Sequence, residues 1–153
     1  MKRVKIGDII EVETKIGFAY AQYTHKHKMY GALIRVFDKI FESRPKSFKK
    51  LILENVRFST FFPLQAAISK KIFEIVCNEP VRPDLHTFPT FRGGLYDPIT
   101  KKTKVWWLWD GEKEWKIGDL KENQRKLSIL EIWNDTLLID RIESGWRPEM
   151  DEG

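Results

Sequence analysis

Val105-Trp106-Trp107-Leu108-Trp109-Asp110-Gly111-Glu112-Lys113-Glu114-Trp115 places four of the chain's six tryptophans around one Asp-Gly dipeptide. Asp-Gly between apolar runs is a strong β-hairpin signal, because both central residues of a type I′ turn need positive φ. With those two residues as the loop, Trp106 lies opposite Trp115 and Trp107 opposite Glu114. One face then carries Trp106, Leu108, Trp115 and Ile117, a core pattern. The other carries Trp107 and Trp109 among Glu112, Glu114 and Lys116. Large rigid aromatics set among charges suit a protein-binding surface. The competing reading buries both faces in a small core. A three-residue loop exchanges the two faces.

Upstream of the hairpin the chain reads as further strands. Val4, Ile6, Ile10 and Val12 share a face while Lys5, Glu11 and Glu13 point away, the period of a half-buried strand. Lys15-Ile16-Gly17 turns the chain into Phe18-Ala19-Tyr20-Ala21-Gln22-Tyr23. After Thr24-His25-Lys26-His27-Lys28, the run from Met29 to Asp38 is apolar on both faces, as an interior strand is. Short connections predict antiparallel pairing. Ser43-Arg44-Pro45 then suggests a helix start, with Phe48, Leu51 and Ile52 as its apolar stripe. Phe58-Ser59-Thr60-Phe61-Phe62 reads as a strand ending at Pro63, which opens a helix bearing Leu64, Ala67 and Ile68. Ile72-Phe73-Glu74-Ile75-Val76-Cys77 is another strand, and Phe91-Arg92-Gly93-Gly94-Leu95 follows a proline-spaced connection.

Downstream, residues 119–127 have helical composition, and Asn134 or Asp135 can cap a helix running through Ile142. Gly145 is placed as its left-handed terminator, with Leu138, Ile139 and Ile142 facing inward and Trp146 folding back over them. The predicted fold is α+β, mostly β. It is one domain over residues 1–148, a twisted antiparallel sheet or partly open small barrel with two to four short peripheral helices. Residues 149–153, Glu-Met-Asp-Glu-Gly, read as an acidic disordered tail.

At 153 residues, 42% apolar and 32% charged, the composition is that of one globular domain. No apolar run approaches the roughly 20 residues of a membrane helix, and Asp8 interrupts the N-terminus before any signal-peptide core. A lone cysteine, Cys77, excludes an internal disulfide and suits a reducing compartment, so a cytoplasmic location is expected. The net charge of +5 admits nucleic acid, yet 22 acidic residues are interspersed among 27 basic ones. Lys49-Lys50, Lys70-Lys71 and Lys101-Lys102-Thr103-Lys104 do not form one stripe.

Catalytic equipment is hard to find. His25 and His27 share a side if they lie on a strand, but a zinc site needs three or four ligands. His86 and Cys77 supply no motif spacing. Cys77 follows an apolar strand, where a free cysteine is usually a small core residue. No phosphate-binding glycine loop, dinucleotide fingerprint, zinc-protease helix or serine-nucleophile elbow is present. The expectation is a protein without catalytic residues, metal, cofactor or small-molecule substrate. Stacking of single-stranded nucleic acid on Tyr20, Tyr23, Tyr30, Trp107 and Trp109 is the alternative function. Glu112 and Glu114, beside the tryptophans, oppose it through charge repulsion.

Ile6-Gly7-Asp8-Ile9-Ile10-Glu11-Val12, Gly17-Phe18-Ala19-Tyr20-Ala21-Gln22-Tyr23 and Phe61-Phe62-Pro63-Leu64 with Phe73-Glu74-Ile75-Val76 resemble phrases of the immunity protein 26 family. The resemblance covers residues 4–85 best. It implies a mostly β, non-enzymatic antitoxin of a bacterial polymorphic toxin system, which stays in the cytoplasm and neutralises a cognate toxin domain by binding it. Immunity proteins that plug nuclease sites are often acidic, whereas this chain is net positive. Three explanations stay open: a locally acidic patch at Asp110, Glu112 and Glu114, a toxin that is not a nuclease, or binding away from the toxin's active site. The expected partner-binding residues are Trp107, Trp109, Glu112 and Glu114, with Tyr23 and His25 on the neighbouring loop.

Overall fold

A computed structural model describes residues 2–151 and contains two antiparallel sheets. The larger is built from β1 (Asp8–Thr14), β2 (Gly17–His27), β3 (Gly31–Phe37), β4 (Val56–Phe61) and β5 (Glu74–Asn78). Its order is β4-β3-β2-β1-β5, a four-strand meander from β1 to β4 with β5 returning to pair with β1. The smaller sheet has the order β6-β7-β8, from β6 (Phe91–Asp97), β7 (Lys102–Trp109) and β8 (Glu114–Gly118). Two α-helices, α1 (Leu64–Ser69) and α2 (Asp135–Glu143), pack against the larger sheet. The α+β, mostly β expectation holds. Among the described residues no helix is long and apolar enough to cross a membrane.

Both faces of the larger sheet are buried, which corrects the half-buried reading of the first strand. Ile10, Val12, Ala21, Ile34 and Val36 pack against Leu64 and Ala67 of α1 and Leu138 and Ile142 of α2. On the other face Ile9, Tyr20, Phe37 and Leu51 form a second cluster. Glu11 therefore does not reach open water. Its side chain accepts from the Tyr20 hydroxyl at 2.8 Å and from the Arg44 guanidinium at 2.7 and 2.9 Å. Strand β1 also starts later than the alternation suggests. Gly7 turns the chain at φ +97°, leaving Ile6 exposed, and a side chain at Gly7 would strike the Glu79 carbonyl.

Two expected helices are absent. Residues 43–50 run irregularly across the second face, followed by a single 3₁₀ turn at Leu51–Leu53. The apolar stripe there packs around the Tyr20 ring, with Phe41 and Phe48 edge-on at 5.6 and 5.3 Å. Residues 119–127 form only the 3₁₀ turn Glu122–Gln124. They carry too little apolar surface for tertiary packing to support so short a helix. The helix α2, in contrast, follows its signals. The Asn134 side chain accepts from the Leu137 amide at 2.8 Å and Gly145 takes φ +70°. Trp146 folds back onto Trp133 and Phe58 at 5.4 and 5.5 Å, with the Arg141 guanidinium over both indoles.

Residues 128–133 stitch the two sheets together. The Ser128 hydroxyl accepts from the Ser59 amide of β4, and the Trp133 amide donates to the Phe61 carbonyl. On its other side the segment exchanges two backbone bonds with Arg92 of β6. Arg92 is fully buried, and its guanidinium donates to the carbonyls of Leu127, Pro148 and Asp151. Pro148–Met150 form a 3₁₀ turn. Of the expected acidic tail, residues 149–151 pack beside Arg92, which donates to the Asp151 carbonyl; Glu152 and Gly153 lie outside the described residues.

Candidate binding surface on the tryptophan hairpin

Strands β7 and β8 form the expected hairpin, with the register moved by two residues. Trp109 pairs with Glu114, Leu108 with Trp115 and Trp107 with Lys116. The Asp110 carboxylate causes the shift. It accepts from the amides of Glu112 and Lys113 at 3.0 and 2.8 Å, and the Asp110 amide donates to the Lys113 carbonyl. Gly111 and Glu112 therefore make the turn, with Gly111 at φ +100°. Those amides hold the Asp110 carboxyl below its ordinary range. A shift of two leaves each side chain on its expected face, because strand side chains alternate with period two.

The faces are occupied differently from the sequence pattern. Trp109 belongs to an aromatic cluster that joins the two sheets, with His27, Tyr30 and Phe88 at 5.0, 5.2 and 5.5 Å from its ring. Trp109 thus contributes to the junction between the sheets, while its exposure stays intermediate. Trp107, on the same face, sits one pair farther from the turn. It is partly exposed and, among the described residues, contacts no other aromatic ring. Its cross-strand neighbour on β6 is Gly93, where an added Cβ would meet nothing within 4 Å, so one flank of the indole is uncovered. Glu112, Glu114, Lys113 and Lys116 around it are exposed.

On the opposite face Trp106 is buried beneath the Arg92 guanidinium, 4.9 Å from its ring, and Leu108 is buried beside it. Trp115, expected in the core with them, is 42% exposed. It lies on β8, the edge strand, where the sheet has no further neighbour to cover it. The smaller sheet thus carries partly exposed tryptophans on both faces, Trp107 and Trp109 on the central strand β7 and Trp115 on the edge strand β8, with both signs of charge nearby. The shortness of β8 and the polar residues after Gly118 were the available signals for the exposure of Trp115.

The weaker candidates are placed elsewhere. Tyr23 is 5% exposed and packs in the main core, which corrects its assignment to a surface loop. Extension of β2 to His27 removes that loop. His25 and His27 do share a side, both against Phe88. Their ring nitrogens are engaged. His27 donates from Nε2 to the Gly111 carbonyl at 2.9 Å and accepts at Nδ1 from the amides of Met29 and Tyr30. The Nε2 of His25 donates to the His86 carbonyl at 2.8 Å, and burial lowers its pKa. Arg35, itself buried, donates to Thr24 and to the carbonyls of Leu85 and Thr87, holding the 80–89 connection beneath His25.

Among the described residues no three His, Cys, Asp or Glu side chains are grouped to hold a metal ion. Burial, reinforced by the charges of Glu79 and Asp8, pushes the Cys77 thiol up to about 11, which disfavours the nucleophilic thiolate. Comparison with known protein families, with curated proteins and with solved structures finds no match to this chain.

Proposed function

We propose that the chain is a non-enzymatic binding protein, an immunity protein that neutralises a cognate bacterial toxin domain by direct contact. The observation that supports this reading is the β7–β8 hairpin at one side of the smaller sheet. It offers Trp107 of the central strand on one face and Trp115 of the edge strand on the other, with Glu112, Glu114, Lys113 and Lys116 exposed on the same hairpin. Preformed aromatics lose little conformational freedom on association, and mixed charges around them set partner choice and association rate. The aromatic cluster at Trp109 and the His27 bond to Gly111 hold this hairpin in place before any partner arrives. The toxin assignment itself rests on the sequence phrases quoted above. Carboxylates beside Trp107 disfavour a phosphate backbone at the same surface.

The test is co-expression with the C-terminal domain of a secreted toxin encoded beside this gene. The chain is expected to restore growth of the host and to co-purify with that domain in fixed stoichiometry. Trp107→Ala and Trp115→Ala together should weaken the complex by about 2 kcal/mol or more, with little change in the unfolding midpoint. Absence of such a neighbour, or a complex indifferent to both substitutions, overturns the reading.

A further inference from the structure

A second site lies away from the hairpin edge. Between the N-terminal segment, β2 and α1 is an open cleft of about 830 Å³, within the size range of small-molecule sites. Tyr23, Tyr30, Phe62 and Leu64 form its apolar floor, and Arg3 and Lys26 are its only charged lining residues. No Asp or Glu among the described residues lines it. Lys26 also lines the neighbouring recess with Asp110 and Glu112 of the hairpin turn. The outer wall is fixed in place. Gln65 accepts from the Val4 amide and donates to the Lys2 carbonyl, each at 2.9 Å, which ties residues 2–4 along α1.

Tyr23 gives the cleft its polar floor. Tyr23 as a residue is only 5% exposed, and its hydroxyl makes no hydrogen bond to any described residue. The hydroxyl is not among the fully enclosed polar atoms and lines the open cleft, where it is free to donate to an incoming acceptor. Burial, with the charge of Asp8, raises the phenol pKa and keeps it a donor.

We propose that this cleft binds an amphipathic carboxylate of the fatty-acid type. The alkyl chain lies along Tyr30, Ala32, Pro63 and Ile132, the accessible apolar lining, and the carboxylate accepts from the Tyr23 hydroxyl between Arg3 and Lys26. The apolar floor excludes a fully hydrated anion. The two cations, in a cleft whose described lining holds no carboxylate, select a negative head group over a neutral or positive one. This site is independent of toxin binding at the hairpin edge.

The test uses the whole chain and dansyl-undecanoate fluorescence, with decanoate, decanol and decyltrimethylammonium as competitors. Saturable one-to-one binding is expected, with decanoate competing about tenfold better than either of the others. Arg3→Glu with Lys26→Glu should weaken the probe by about tenfold or more, and Tyr23→Phe by roughly threefold to tenfold, with unchanged unfolding midpoints. Non-saturable binding, equal competition by all three amphiphiles, or indifference to the charge reversal overturns the site. Arg3→Glu alone, at an exposed residue far from the fold's core, keeps the test decisive if Tyr23→Phe unfolds the chain. Toxin-domain binding measured on the same variants separates failure here from failure of the immunity reading.

Discussion

Trp107 and Trp109 stand two residues apart on one face of β7, and that small separation divides structure from display. Trp109 meets the rings that join the sheets, so Trp109→Ala should cost about 3–5 kcal/mol of stability. Trp107 lacks such neighbours, and Trp107→Ala should cost under about 1 kcal/mol. Urea unfolding of the two variants checks the contrast; equal losses contradict it. At the same scale, Asp38 is gripped by Arg147 at 2.8 Å and by Arg57 at 3.1 Å, which lowers its pKa. A carboxylate whose folded pKa is depressed stabilises the protein above its unfolded pKa of about 3.9. That contribution is lost as the pH falls through the folded value. Asp38→Asn should therefore unfold earlier than the parent at pH 6, and the gap should begin to narrow as the pH falls below about 4. A gap that stays the same from pH 6 down through the acid range would show that the effect is not ionic.

Among elements, those with local chemistry at both ends were legible in the sequence. The hairpin was announced by Asp110-Gly111, and α2 by Asn134 and Gly145. Asn134→Ala should cost about 1 kcal/mol by removing the bond to the Leu137 amide. Thermal unfolding checks this, and no loss at all would remove the cap from the account. Elements inferred from composition or a partial stripe fared worse. The stripe at Phe48, Leu51 and Ile52 is real, but it serves a sheet face rather than a helix. Spacing alone does not distinguish a short amphipathic helix from an irregular segment laid over an aromatic ring. The hairpin register also escaped, because the Asp110 side chain competes for the turn amides.

Across the whole molecule, the two sheets share one aromatic cluster and one connecting segment, so neither is an independent unit. Residues 128–133 bond to β4 on one side and β6 on the other, and Arg92 ties β6 to the chain end. Unfolding followed by tryptophan fluorescence, which weights the smaller sheet and α2, should coincide with loss of far-ultraviolet circular dichroism. Separate midpoints would mean that the smaller sheet melts alone. By itself, the sequence determined the β-rich class, most strands, α2 and the alternation that assigns side chains to faces, because each rests on contacts between near neighbours in the chain. Only the tertiary structure decided which tryptophans are covered, that Tyr23 is buried, and that the carbonyls of Pro148 and Asp151 meet Arg92. Those outcomes depend on segments tens of residues away arriving as a second layer, and no local period encodes that arrival.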